Sequence, residues 1–191
     1  MILSGDDIHK ALAEGRMIIE PAPGKDQIDT TSIDLHMGAP LWIWDPRLAG
    51  PEQETLKVNL DEYDYREFSK RHQVEVNKES SGKYVLHPNR VYLGSTFEKV
   101  QFPAGSRLAG RVEGKSSLAR LGLVVHMTAP MIHCGTGLGI ITLEMFNHGP
   151  FAIEVTPNKT RICQLMLEEV SRDPGAERTG RTFTRQEDAQ G

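Results

Sequence analysis

Long apolar runs are absent from this chain of 191 residues: no stretch of roughly 18 or more apolar residues is there to cross a bilayer. Cysteine is scarce. Cys134 and Cys163 are too few for a disulfide framework and show no CxxC spacing, which fits a reduced, cytosolic interior. A basic excess is also lacking, since 22 Lys and Arg stand against 26 Asp and Glu for a formal net charge of -4. That argues against a general nucleic-acid or membrane surface, both of which need clustered positive charge, and requires any phosphate binding to be local. The N-terminal run MILSGDDIHKALAEGRMI is too charged for the apolar core of a secretion signal. A cytoplasmic protein with neither nucleic-acid nor membrane partners is expected.

What is present is a series of short elements. At roughly 100–200 residues per domain, one domain over residues 1–170 is expected. Beyond it, residues 171–191 hold mainly Arg, Asp, Gly, Glu and Thr with little to bury, which reads as a flexible C-terminal arm. Ser4 precedes Asp6, Asp7 and the helically spaced Ile8, Ala11 and Leu12, so a short N-capped helix ending near Gly15 is predicted. Then come SIDLHM, PLWIW, KYVL, RVYLGS, KVQF, RLAGRV, LVVHMTA, GIITLEMF, FAIEV and RICQLML, separated by turn residues. Such spacing argues for a mainly β barrel or sandwich rather than βαβ units. The charged stretch from Asp61 to Lys78 reads as a solvated insertion, helical in part.

Chemistry concentrates in GRVEGKSSLARLGL. Gly114, Ser116 and Ser117 leave backbone N–H groups accessible, with two hydroxyls and the charges of Lys115 and Arg120 close by in sequence, a combination suited to a triphosphate. A capped surface helix over Ser116 to Arg120 with ordinary salt bridges is an equally open reading of the same residues. Glu144 is the only acid in the apolar run Ile140–Phe146. By alternation alone it is an outward-facing strand residue; in a partly dry pocket its pKa would rise towards the working pH. The HxE and PCxxC ligand runs of zinc nucleobase deaminases are missing. His133 and Cys134 are adjacent and Cys163 is remote, so ordinary thiols are expected and no metal site.

GKSSLARLGL resembles the phosphate-binding motif, usually GRSSLAR, shared by dUTP diphosphatases and dCTP deaminases. DDIHKALAEGRMIIEP, SIDLHMG, and LVVHMTAPMIH followed by ITLEMFN are similar to the deaminase branch, in the same order along nearly the whole chain. The resemblance implies a dUTPase-like distorted β-barrel or jelly-roll with a short N-terminal helix and few other helices. It implies metal-independent hydrolysis of dCTP to dUTP and ammonia, with Ser116 and Arg120 catalytic and Glu144 as the acid/base. Lys115, Ser116, Ser117, Arg120, Met127, Thr128, Ala129 and Gln190 are the implied nucleotide-binding residues. A homotrimer with sites between subunits is implied, with dTTP as a possible inhibitor. No cofactor is required for the chemistry, and Mg2+ is expected to arrive bound to the triphosphate.

The sequence also departs from that pattern. Lys115 stands where most members have Arg, which keeps the charge but loses the bidentate fork. His133 stands where diphosphatases use an Asp to activate water, which disfavours dUTP hydrolysis, although His is able to serve as a base. HCGTGLG holds one residue more than the usual loop. FTRQEDAQ, Phe183 to Gln190, resembles the start of a tail that folds over the nucleotide, with Phe183 for Tyr and Gln190 near an expected Lys. Asp34 matches an acidic position of the first motif, or is a strand carboxylate satisfied locally. His126 reads as a structural strand residue. The alternatives left open are a dUTP diphosphatase, a bifunctional deaminase and diphosphatase, and a non-catalytic nucleotide-binding regulator.

Overall fold

The computed structural model describes residues 1–49, 55–172 and 187–190. Its first element is the one the capping residues dictate, α1 over Gly5–Ala13 with Ser4 at the N-cap. Ser4 Oγ accepts from the Asp7 backbone N–H at 3.3 Å and the Asp7 carboxylate accepts from the Ser4 N–H at 3.3 Å, a reciprocal cap worth about 1 kcal/mol. Gly15, at φ 68°, ends the helix. Ile8 and Ala11 are the positions it buries.

The strands are β1 Ile18–Glu20, β2 Ser32–His36, β3 Trp42–Trp44, β4 Gln73–Glu75, β5 Tyr84–Leu86, β6 Val91–Gln101, β7 Leu108–Gly114, β8 Leu123–Val124, β9 Met131–Ile132, β10 Gly139–Asn147, β11 Ile153–Val155 and β12 Arg161–Glu169. The helix α2 spans Tyr65–His72, and α3 spans Ser116–Ala119. The chain is therefore mainly β. A six-stranded sheet runs β4-β3-β6-β10-β8 with β1 also on β6, a four-stranded sheet runs β2-β12-β7-β9, and β5 pairs with β11. Alternation sends Leu143 and Met145 of β10, Ile33 and Leu35 of β2, and Leu165 and Leu167 of β12 into one shared core. Burying such a side chain contributes about 1.5–3 kcal/mol. No helix among the described residues is long and apolar enough to cross a membrane.

Three expectations are revised. RVYLGS and KVQF form one continuous strand, β6, because Gly94 is a packing position and not a break: a Cβ there would meet the methyl ends of Met37 and Met145 at 2.8 Å. LVVHMTA pairs only at Leu123–Val124, and after the buried Val125 the backbone leaves the sheet. The Asp61–Lys78 stretch is less solvated than its composition implies. Asp64 Oδ1 accepts from the Glu67 N–H at 3.0 Å and starts α2, while β4 joins the sheet with Gln73 opposite Trp44. Of the arm expected over 171–191, residues 173–186 and 191, Phe183 among them, lie outside the described residues. Residues 187–190 lie against α2, with Ala189 and Gln190 buried.

Candidate active site

Ser116, Ser117 and Arg120 lie together on the surface, the serines in α3 and Arg120 at its C-cap. None of their side chains has a hydrogen-bond or ion-pair partner among the described residues. Lys115 differs. Its ammonium is paired with the Asp34 carboxylate, which also lies 3.5 Å from Arg161 Nη1. Lys115 is thus tied to β2 and β12, and Asp34 is a strand carboxylate satisfied by two cations. The turn after α3 is held by contact too close for any side chain. A Cβ on Gly149 would come within 1.9 Å of the Leu121 carbonyl oxygen, and Gly122, at φ 92°, accepts from the His148 N–H at 2.8 Å. These contacts fix the end of the motif against the end of β10.

Glu144 stands on the face of β10 opposite Leu143 and Met145. It is half-buried, and burial is the main cause that pushes its carboxyl above the ordinary range. Hydrogen bonding from the backbone N–H groups of Glu144 itself and Met127 pulls the other way, as does nearby His126. The departure of the chain from the sheet after Val125 is what turns Met127 N–H towards the carboxylate. Thr128 and Ala129 follow as exposed residues. His126 Nδ1 and Thr142 Oγ1 are buried with no hydrogen-bond partner among the described residues. Unsatisfied buried groups are rare in folded proteins.

Register identifies what else shares this face. Glu144 is opposite Leu93 of β6, which is opposite Trp42 of β3. Directly opposed residues of antiparallel strands project to the same side. Trp44, two residues along from Trp42, meets Phe68 of α2 edge-on with ring centroids 5.7 Å apart, so α2 covers this same side. Leu93 and Ser95 are consequently buried. Tyr65 donates its hydroxyl proton to the Ala189 carbonyl at 3.1 Å, Ser69 donates to the Gln190 carbonyl at 3.2 Å, and Gln190 Nε2 donates to Gln73 Oε1 at 3.3 Å. Trp42, Tyr65 and Gln73 had no motif to announce them. The only sequence signal was a pair of aromatics, Tyr65 and Phe68, within a charged stretch.

The structure therefore brings Met127, and Gln190 through Gln73 and α2, to the Glu144 side. It joins none of Ser116, Ser117 and Arg120 to Glu144 by a hydrogen bond or ion pair among the described residues. His133 is exposed, at the start of a loop in which the N–H groups of Gly135 and Thr136 donate to the Phe102 carbonyl at 2.9 and 3.1 Å. Both cysteines are free thiols. Cys163 is in the core, where burial pushes its thiol up and leaves it inert. No group of three or more His, Cys, Asp or Glu side chains able to hold a metal occurs among the described residues.

A family model described as dCTP deaminase-like matches residues 2–170. A dCTP deaminase of Rhodospirillum rubrum is 39% identical over 168 residues, covering 88% of this chain and 82% of its own. A dUMP-forming dCTP deaminase of Methanosphaera stadtmanae is 34% identical over 170 residues, covering 89% of this chain and 80% of its own. Among solved structures, that of 2'-deoxycytidine 5'-triphosphate deaminase from Agrobacterium tumefaciens superposes with a TM-score of 0.61 at 22% identity, over 88% of this chain and 48% of that one. The likeness in structure is one of fold.

Proposed function

The chain belongs to the dCTP deaminase-like family, and from that premise we propose that it hydrolyses dCTP to dUTP and ammonia, with Glu144 as the proton shuttle. The observation that carries the reading is the half-buried carboxyl of Glu144, raised in pKa by burial and set beside the Met127 N–H. A carboxyl raised in this way is better suited than an ordinary glutamate to accept a proton and return it. Water adds to C4 of the cytosine as Glu144 takes one of its protons and delivers it to N3. The remaining hydroxyl proton then passes through Glu144 to the amino nitrogen, the C4–N bond breaks, and ammonia leaves a C4 carbonyl behind. Every atom of dCTP and water is accounted for, and no metal enters the chemistry. Mg2+ would come with the triphosphate as part of the substrate.

In this reading Ser116, Ser117 and Arg120 hold the nucleotide, with Ser116 and Arg120 also acting on the reacting water. Lys115, engaged by Asp34, orients the start of α3 and lends its charge. The exposure of these groups, none of them bonded to Glu144 among the described residues, supports a homotrimer whose sites pair α3 of one copy with Glu144 of another. Backbone at Met127, Thr128 and Ala129 faces the base, Gln190 lies on the closing side, dTTP is a candidate inhibitor, and the cytoplasm is the expected location. A second reading adds hydrolysis to dUMP and pyrophosphate; the name of the Methanosphaera relative calls that protein dUMP-forming. The exposed His133 where diphosphatases carry an acid weighs against it.

The test is to incubate the pure protein with dCTP and to follow ammonia, dUTP and pyrophosphate. Ammonia and dUTP without pyrophosphate are expected, and Glu144→Gln should slow release by about 10²–10⁴-fold with nucleotide binding largely kept. Binding without any product would leave the chain a nucleotide-binding regulator.

A further inference from the structure

We propose that Glu98, a buried carboxylate in β6, is a positioning residue for Lys115 at the start of α3, acting through Gln27, His36 and Asp34. What Lys115 is positioned for rests on the reading of the motif as the phosphate site of the nucleotide. The Glu98 side chain is 2% exposed. A carboxylate at that depth is costly unless its oxygens accept hydrogen bonds. Three donors meet it: the His36 backbone N–H at 2.8 Å, His36 Nδ1 at 2.6 Å and Gln27 Nε2 at 3.1 Å. All three come from the chain on either side of Asp34.

The Gln27 amide has two protons to give. Its two nearest acceptors are the Asp34 carbonyl at 3.0 Å and Glu98 Oε1. None is left for His36 Nδ1, so that nitrogen carries a proton of its own and donates it to Glu98. The Asp34 N–H in turn donates to the Gln27 carbonyl at 2.7 Å, so Gln27 engages both backbone groups of Asp34. β2 is the edge of its sheet, paired in that sheet with β12 alone, and Gln27, held by Glu98, closes the other side of it at Asp34. The Asp34 carboxylate then takes the Lys115 ammonium on one oxygen, with Arg161 Nη1 3.5 Å from the other. Every link from Glu98 to Lys115 is thus a hydrogen bond or a residue's own backbone. Gly114, the residue before Lys115, is held from the same strands: Gln164, opposite Asp34 in β12, donates from Nε2 to the Gly114 carbonyl at 3.3 Å. An ammonium has three N–H donors, and Asp34 is the one partner of Lys115 among the described residues. Lys115 is therefore able to keep Asp34 and meet a phosphate at once, so the pairing orders a flexible side chain and leaves donors for a ligand.

Glu98→Gln tests this, because it keeps the shape of the side chain but turns one acceptor oxygen into a donor that faces a donor. The full-length protein is treated briefly with acetic anhydride, and acetylation of Lys115 and Lys83 is read by mass spectrometry. Lys83 is paired with Glu154 beside β5, away from the Glu98 contacts, and serves as the control. In Glu98→Gln the labelling of Lys115 should rise by about threefold, as expected when an ion pair is released, with Lys83 unchanged. A general loosening of the fold would raise both. Gln27→Ala removes only the amide link, should raise Lys115 alone by a smaller factor, and decides the matter if Glu98→Gln does not fold. With dCTP, Glu98→Gln should weaken binding and raise KM by about 3- to 10-fold with kcat within about twofold. In a Lys115→Met background the same substitution should change neither binding nor KM, because the residue it acts through is gone. Unchanged Lys115 labelling, a rise shared by Lys83, tighter dCTP binding, or an equal loss of affinity in Lys115→Met overturns the proposal. Labelling needs no nucleotide, so a wild-type protein that binds no dCTP would sink the reading of the motif and still leave the link from Glu98 to Lys115 decided.

Discussion

The helix at Ser116–Ala119 and the face around Glu144 satisfy their polar groups in opposite ways. Ser116, Ser117 and Arg120 point to solvent with no partner among the described residues, on a helix of four residues that has no side-chain cap. Glu144 is half-buried, with Met127 N–H and His126 beside its carboxyl, on the side of the sheet that α2 covers. An isolated turn of helix contributes little stability of its own, so α3 owes its position to its ends: Lys115 on Asp34, and Gly122 against Gly149. Glu144 owes its position to a sheet and its chemistry to what covers that sheet. One region presents exposed groups with no partner among the described residues, and the other sets a half-buried carboxyl on a covered face of a sheet.

That contrast breaks or sharpens under three experiments, taken from the largest expected effect to the smallest. A Ser116→Ala/Arg120→Ala double variant and Glu144→Gln should each be inactive alone. After subunit exchange in equal amounts they should recover about a quarter of wild-type ammonia release, because random trimers place both intact halves together at that fraction of sites. No recovery would mean that each site is built within one chain, and the contrast would lose its functional meaning.

Gly149→Ala attacks the anchoring of α3. The new Cβ would collide with the Leu121 carbonyl at 1.9 Å. A cost of about 3 kcal/mol is expected, lowering Tm by roughly 6–12 °C, with nucleotide affinity falling as α3 shifts. A Tm within the error of wild type would show that the turn does not depend on this approach.

The smallest effect separates the pocket from the surface by pH. The native Glu144 carboxyl binds its proton more tightly than the unfolded one, so the native state holds more protons in that interval. Stability is fully present below the ordinary glutamate range and declines as pH rises through the raised native value. Glu144→Gln removes that decline. Scanning calorimetry should give a Tm about 1–2 °C above wild type near pH 8 and no difference near pH 4. A gain of equal size at both values would mean that the carboxyl is not perturbed by burial.

Parts of both regions were legible in the residues. The Ser4 cap and the Gly15 stop specify α1, because a helix end is a local problem solved within a few residues. Alternation in ITLEMFN puts Glu144 and Leu143 on opposite faces of a strand for the same reason. The motif around Ser116 advertised hydroxyls and charge; the hydroxyls and Arg120 have no partner among the described residues, while Lys115 is paired with Asp34. The insertion was misread because its mean polarity hides Tyr65 and Phe68, two aromatics that cover the sheet only once β3 lies beneath them.

By itself, then, the sequence determined the mainly β class, the first helix and the alternation that sets Glu144 opposite Leu143 in β10. Tertiary structure decided which face of β10 is roofed, that Lys115 is held by Asp34, and that Tyr65 and Gln73 meet Ala189 and Gln190. Those outcomes depend on contacts between residues far apart along the chain, as with the Tyr65 hydroxyl and the Ala189 carbonyl, separated by 124 positions. Periodicity and capping act within a few residues. Only packing brings such distant groups together and sets the dielectric in which Glu144 titrates.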